Sequence, residues 1–142
     1  MEDKLTIAID FDGTCVTHEY TNEGKDIGAI PVLKQLIAKG HELILYTMRS
    51  GAELETAIQW FLRNDIRLYG IQYNPTQALW TSSNKCYAQL YIDDAALGCP
   101  LIHPSDVHAK EGLIASRYYV NSSRPYVDWY EVEKYLKQNN II

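Results

Sequence analysis

The sequence predicts an α/β fold on a mainly parallel sheet, and three observations predict it. Short apolar runs of strand length alternate with amphipathic stretches of helix length. Two of the runs end in paired acids, at Asp10-Phe11-Asp12 and at Asp93-Asp94, and a third ends at Thr47. The length, 142 residues, suits one domain spanning 1–142, large enough to close an ordinary core.

Each element has its own signal. Lys4-Leu5-Thr6-Ile7-Ala8-Ile9 reads as a buried strand. Ile30, Val32, Leu33, Leu36 and Ile37 have the spacing of one helix face over Ile30 to Lys39, and Gly40 is its stop. Glu42-Leu43-Ile44-Leu45-Tyr46 is a second strand. Ser50-Gly51 opens a helix to about Asn64, with Leu54, Ile58, Phe61 and Leu62 expected inside. Leu68 to Tyr73 is a third strand, closed by Asn74-Pro75, and Gln89 to Ile92 a fourth. Arg117 to Val120 suggests another strand, and Val127 to Gln138 a terminal helix. Parallel strands joined by right-handed crossovers bind ligands beyond their carboxyl ends, so Asp10, Asp12, Thr47, Asp93 and Asp94 should meet at one edge.

Composition narrows the function classes. Hydrophobic residues are 46% and charged residues 22%, a balance that argues against a disordered chain. No apolar run nears the roughly 18 residues of a membrane span. The start, Met1-Glu2-Asp3-Lys4, lacks the basic opening of a signal peptide, so a cytoplasmic setting without membrane partners is expected. A net charge of −5 disfavours long nucleic acid as a partner. Cys15, Cys86 and Cys99 show no CxxC spacing and read as reduced thiols or small core residues. His103 and His108 lack the spacing of a helical metal pair.

The strongest signal is Ile7-Ala8-Ile9-Asp10-Phe11-Asp12-Gly13-Thr14. Two carboxylates two positions apart on an extended segment point the same way. Gly13 lets the chain turn close to a ligand. One carboxylate can attack phosphorus while the other handles the proton, since aspartate is an established phosphoryl acceptor.

This octet resembles the first motif of the haloacid dehalogenase superfamily of phosphohydrolases. Three further stretches match its remaining motifs in order: Glu42 to Thr47, Lys85, and Tyr91-Ile92-Asp93-Asp94. The resemblance covers residues 5–94 and implies a Rossmann-like three-layer α/β/α sandwich. It implies that Asp10 is the nucleophile and that Asp12 protonates the leaving oxygen and then activates water. It implies a magnesium ion held by Asp10, the Asp12 backbone carbonyl and Asp94, with Asp93 as an orienting partner. Thr47 would hydrogen-bond a phosphoryl oxygen, and Lys85 would offset charge on Asp10 and the phosphate. Arg49, two residues past Thr47, is a candidate to grip a second phosphate or a carboxylate on the leaving group.

The gaps between motifs leave no room for a folded cap domain, only a polar flap over Val16 to Gly28. An open site suits a phosphorylated macromolecule or large metabolite, or else a second copy of the chain covers it. The expected activity is therefore a magnesium-dependent phosphomonoester hydrolase working through an aspartyl-phosphate. The alternatives are a phosphate- or nucleotide-binding protein of the same fold with little turnover, or a phosphotransferase. The aromatics Tyr118, Tyr119, Tyr126, Trp129 and Tyr130 are expected to pack rather than to recognise a ligand.

Overall fold

The computed structural model describes residues 3–104 and 119–142. Its centre is a parallel sheet in the order β3-β2-β1-β4, built from β1 (Thr6–Ile9), β2 (Glu42–Leu45), β3 (Gly70–Ile71) and β4 (Leu90–Ile92). The fold is α/β and Rossmann-like. β1 is flanked on both sides, with Ile7 and Ile9 in register with Leu43 and Leu45 of β2 and with Leu90 and Ile92 of β4. That central place explains why β1 is apolar almost throughout: a strand buried on both faces has no solvent side to alternate with.

Three helices share one core with one face of the sheet. They are α1 (Ala29–Ala38), α2 (Gly51–Arg63) and α3 (Trp129–Gln138). Leu33 and Leu36 of α1, Ala57, Trp60 and Phe61 of α2, and Trp129 and Leu136 of α3 close over Ile7, Ile9, Leu43, Leu45 and Ile92. The other face carries Ala8 and Ile44, both buried, and Tyr91. Tyr91 meets the segment after β3, its hydroxyl donating to the Cys86 carbonyl.

Several expected boundaries shift. The third strand is only Gly70–Ile71, and the terminal helix starts at Trp129, where Asp128 accepts from the Glu131 amide as its cap. On α2 it is Trp60 that enters the core, while Leu62 is 65% exposed and does not join it. A helix turns 100° per residue, so Trp60 and Leu62, about 200° apart, cannot both face inward, and Trp60 brings more apolar area. Of the strand expected over Arg117 to Val120, Arg117 and Tyr118 lie outside the described residues, as does His108, and Tyr119 and Val120 are not extended in a sheet. The sequence reading lacked an antiparallel pair, β5 (Leu101–Ile102) with β6 (Tyr126–Val127). Among the described residues no helix is long and apolar enough to cross a membrane.

Candidate functional site

The site forms where β1 and β4 end side by side. The Asp10 amide donates to the Ile92 carbonyl at 3.0 Å, which continues the ladder one step past the strands. This brings Asp10 level with Asp93 and Asp94. One carboxylate oxygen from each of the three lies within 4.8 Å of the others.

The chain after Asp10 is forced into a tight turn. Phe11 is fully buried against Trp60 and Phe61, with ring centroids 5.7 and 6.3 Å away. The Thr14 and Cys15 amides both return to the Phe11 carbonyl, and the Gly13 amide reaches that of Val16. Gly13 sits at φ +79, and a Cβ there would overlap the His18 ring and lie 2.6 Å from Asp94 Oδ2. Glycine is required on both counts.

Thr14, wholly buried, joins the two strand ends. Its hydroxyl donates to Asp10 Oδ2 at 2.9 Å and accepts from the Asp94 amide at 3.0 Å. His18 Nε2 lies 2.8 Å from Asp94 Oδ2. Burial, then the charge of Asp93 and a hydrogen bond to Asp94, push the Asp10 carboxyl from 3.8 up to about 8. Burial would raise Asp94 as well, but hydrogen bonds with His18 and Asp10 hold it below its ordinary value. Asp93 is raised, first by burial, and its side chain accepts from the Ala95 amide. Three crowded carboxyls, one holding a proton for want of positive charge, form a donor set of hard oxygens that fits a divalent cation such as magnesium.

Asp12 faces a different partner. Arg49 Nε and Nη2 donate to its two carboxylate oxygens, each at 2.8 Å. Arg49 is 1% exposed, donates also to the carbonyls of Glu53 and Asn22, and lies over the Phe11 and Tyr20 rings at 4.9 and 5.3 Å. The structure thus places Arg49 on Asp12, whereas the sequence reading expected it on a second phosphate or a carboxylate of the leaving group. A buried guanidinium whose fork is closed on Asp12 has no free face to offer a second phosphate.

Thr47 stands at the carboxyl end of β2, its hydroxyl accepting from the Arg49 amide at 3.1 Å. The Gln72 side chain bonds both the amide and the carbonyl of Thr47, at 2.9 and 2.7 Å, and fixes this turn. Lys85 is not brought to Asp10. Its ammonium lies 5.5 Å from the centroid of the Tyr91 ring, and it makes no ion pair among the described residues. The Cys15 thiol is buried and donates to the Asp10 carbonyl, and burial followed by Asp10, Asp12 and Asp26 pushes it well above the usual range. A thiol held protonated is a poor nucleophile. His103 is exposed and outside this group.

The residues that sequence reading missed are Thr14, His18, Gln72 and Trp129. Thr14 was visible in DFDGT as a hydroxyl in the acidic turn. His18 and Gln72 carry no local signal, since their partners are 76 and 25 residues away. Trp129 does pack, as expected of the aromatics, but its indole N–H also donates to the Thr14 carbonyl at 2.7 Å, and the Val127 amide reaches that of Gly13. The end of the chain thus clamps the acidic turn.

Among solved structures the chain is similar to the conserved protein coded by locus from Bacteroides thetaiotaomicron. The identity is 37% and the TM-score 0.63, over 68% of this chain and 80% of that one. The chain belongs to the same family as that protein. The likeness carries the α/β fold across the family and names no substrate or reaction. No protein-family model and no curated protein matches the chain.

Proposed function

We propose that the chain is a divalent-cation-dependent phosphomonoester hydrolase of the haloacid dehalogenase type, with Asp10 as the nucleophile. The observation that carries the reading is the convergence of Asp10, Asp93 and Asp94 at the ends of two adjacent parallel strands, with the Thr14 hydroxyl joining Asp10 to Asp94. Asp10, Asp93 and Asp94 would hold magnesium, which when bound supplies positive charge for the phosphoryl oxygens and displaces the proton on Asp10.

The chain's own groups would do the rest. A carboxylate oxygen of Asp10 attacks phosphorus, the bond to the leaving oxygen breaks, and an aspartyl-phosphate forms. Asp12 gives its proton to the leaving oxygen, then takes one from the water that attacks the intermediate. Inorganic phosphate leaves, and Asp10 and Asp12 return to their starting states. The Thr47 hydroxyl, whose oxygen accepts from Arg49, has its own proton free for a phosphoryl oxygen. Lys85 has no part in this proposal. The substrate class is a phosphomonoester, and a cytoplasmic setting agrees with the free state of Cys15, Cys86 and Cys99.

One observation favours a second reading, phosphate binding with little turnover: both oxygens of Asp12 are engaged by Arg49. Rapid-quench mass spectrometry separates the two. With magnesium, wild type should release phosphate from aryl and alkyl esters, and chelator should stop it. D10N should form no covalent adduct, while D12N should accumulate the phosphoenzyme with an aryl ester, because hydrolysis of the intermediate lacks its base. An alkyl ester should lose the ~10²–10⁴-fold typical of general acid catalysis. A stoichiometric adduct on D10N, or equal rates with chelator and magnesium, would overturn the proposal.

A further inference from the structure

We infer that Arg49 is a positioning residue which couples the flap over residues 16–28 to the Asp12 carboxylate, rather than a substrate-binding group. The inference rests on the reading of Asp12 as the acid and base of the proposed reaction.

The geometry is that of a hub. One guanidinium holds Asp12 through two bonds of 2.8 Å, the first turn of α2 through the Glu53 carbonyl, and the flap through the Asn22 carbonyl. Tyr20, also in the flap, lies over the same guanidinium. A planar fork fixes the plane of the carboxylate it binds, as a lysine ammonium cannot. Displacement of residues 20–22 therefore reaches the Asp12 carboxylate through the Arg49 guanidinium, beside the backbone bridge that joins Asp12 to Val16 at the start of the flap.

The flap is also a wall of a polar cleft. His18, Glu19, Asn22 and Lys25 line one side, and Asn121 and Ser122 stand across from them, enclosing about 520 Å³. The Lys25 ammonium bridges the cleft to the Asn121 carbonyl at 3.0 Å. His18 connects the same cleft to Asp94. Occupancy of this space by the leaving portion of a substrate would press on the segment whose Asn22 carbonyl Arg49 holds. Arg49 would pass that contact to Asp12, so proton transfer would be set only when the cleft is filled. With Lys25 already facing Glu19 at 3.8 Å and Asn121, the cleft offers hydroxyl and amide groups rather than free positive charge. A neutral, hydroxyl-rich leaving portion fits it better than a second phosphate.

The test has a kinetic arm and an arm independent of turnover. R49K keeps the charge and loses the fork. Its kcat for an alkyl ester should fall by roughly 10²-fold, an aryl ester should suffer much less, and KM should hold for both. R49A should regain part of its kcat for the alkyl ester when guanidinium is added. A rise in KM that follows the charge of the leaving group would mean that Arg49 grips substrate, and would overturn the inference. In the second arm, hydrogen exchange is measured on amides 19–25 in wild type, R49K and D12N. Both variants should exchange faster there, and in D12N the change should appear although Arg49 is intact. Unchanged flap exchange in D12N overturns the coupling, whatever the kinetics. If wild type hydrolyses no ester while flap exchange rises in both variants, the proposed reaction fails and the Arg49 coupling stands.

Discussion

Replacing Asp10 by Asn should change how the stability of the metal-free protein depends on pH. In the folded chain the Asp10 carboxyl is raised from 3.8 to about 8, by burial first and then by Asp93 and Asp94. The unfolded chain gives up that proton near the ordinary value. Between the two values the folded state therefore holds one proton more, so stability falls as pH rises through this window and levels off above about 8. Each pH unit in the window is worth about 1.36 kcal/mol. The full span sets a ceiling of about 6 kcal/mol, and relaxation with water entry reduces it to an expected swing of about 2 kcal/mol. Urea unfolding in chelator at about pH 5 and about pH 8 measures it. Wild type should lose stability across this range relative to D10N, which has no carboxyl to titrate. Saturating magnesium should abolish the fall in wild type, since the cation takes the place of the proton. Parallel pH profiles for wild type and D10N in chelator would refute the picture of three carboxyls sharing too little positive charge.

Two further outcomes test the scaffold around the acids. G13A should remain folded on thermal melting but lose roughly 10²-fold or more in turnover, because the new methyl overlaps His18 and the Asp94 carboxylate at a φ of +79. Wild-type rates in G13A would show that His18 and Asp94 need not stand where they do. W129F should cost about 1–3 kcal/mol in urea unfolding, since it leaves the buried Thr14 carbonyl without its 2.7 Å donor. An unchanged midpoint would mean that the clamp on the acidic turn carries no energy.

Legibility in the sequence follows the range of the forces. β1, β2 and α1 were readable because apolar pattern and burial coincide within each segment, and α2 was readable as a helix although Trp60 takes the inner place expected of Leu62. β3 is shorter than its apolar run, since only Gly70 and Ile71 stand in register with β2, opposite Ile44 and Leu45. The pair β5 and β6 was unreadable. Two residues on each strand carry no period, and their register, Leu101 with Val127, is set by contacts more than twenty residues apart. Their value lies in position: the strand pair delivers Val127 and Trp129 to the turn that bears Asp10 and Asp12.

The acids divide along the same line. Asp10, Asp93 and Asp94 could be placed together from sequence because β1 and β4 are parallel neighbours, and parallel strands end on the same side. Asp12 was expected to point the same way as Asp10, but the residue after it turns the chain with a positive φ and ends the alternation of an extended strand, and its carboxylate meets Arg49 instead. Arg49, which holds that carboxylate, was read from sequence as a grip on the substrate. Arginine is seldom buried, and composition gives no hint that one will be. Here burial is tolerable because the charge meets a carboxylate through both ends of its fork, two carbonyls take further donors, and Phe11 and Tyr20 cover the guanidinium. The same contacts that make the burial possible tie Asp12 to the flap, so the group hardest to place from sequence is the one that joins the acidic turn, the flap and the first turn of α2.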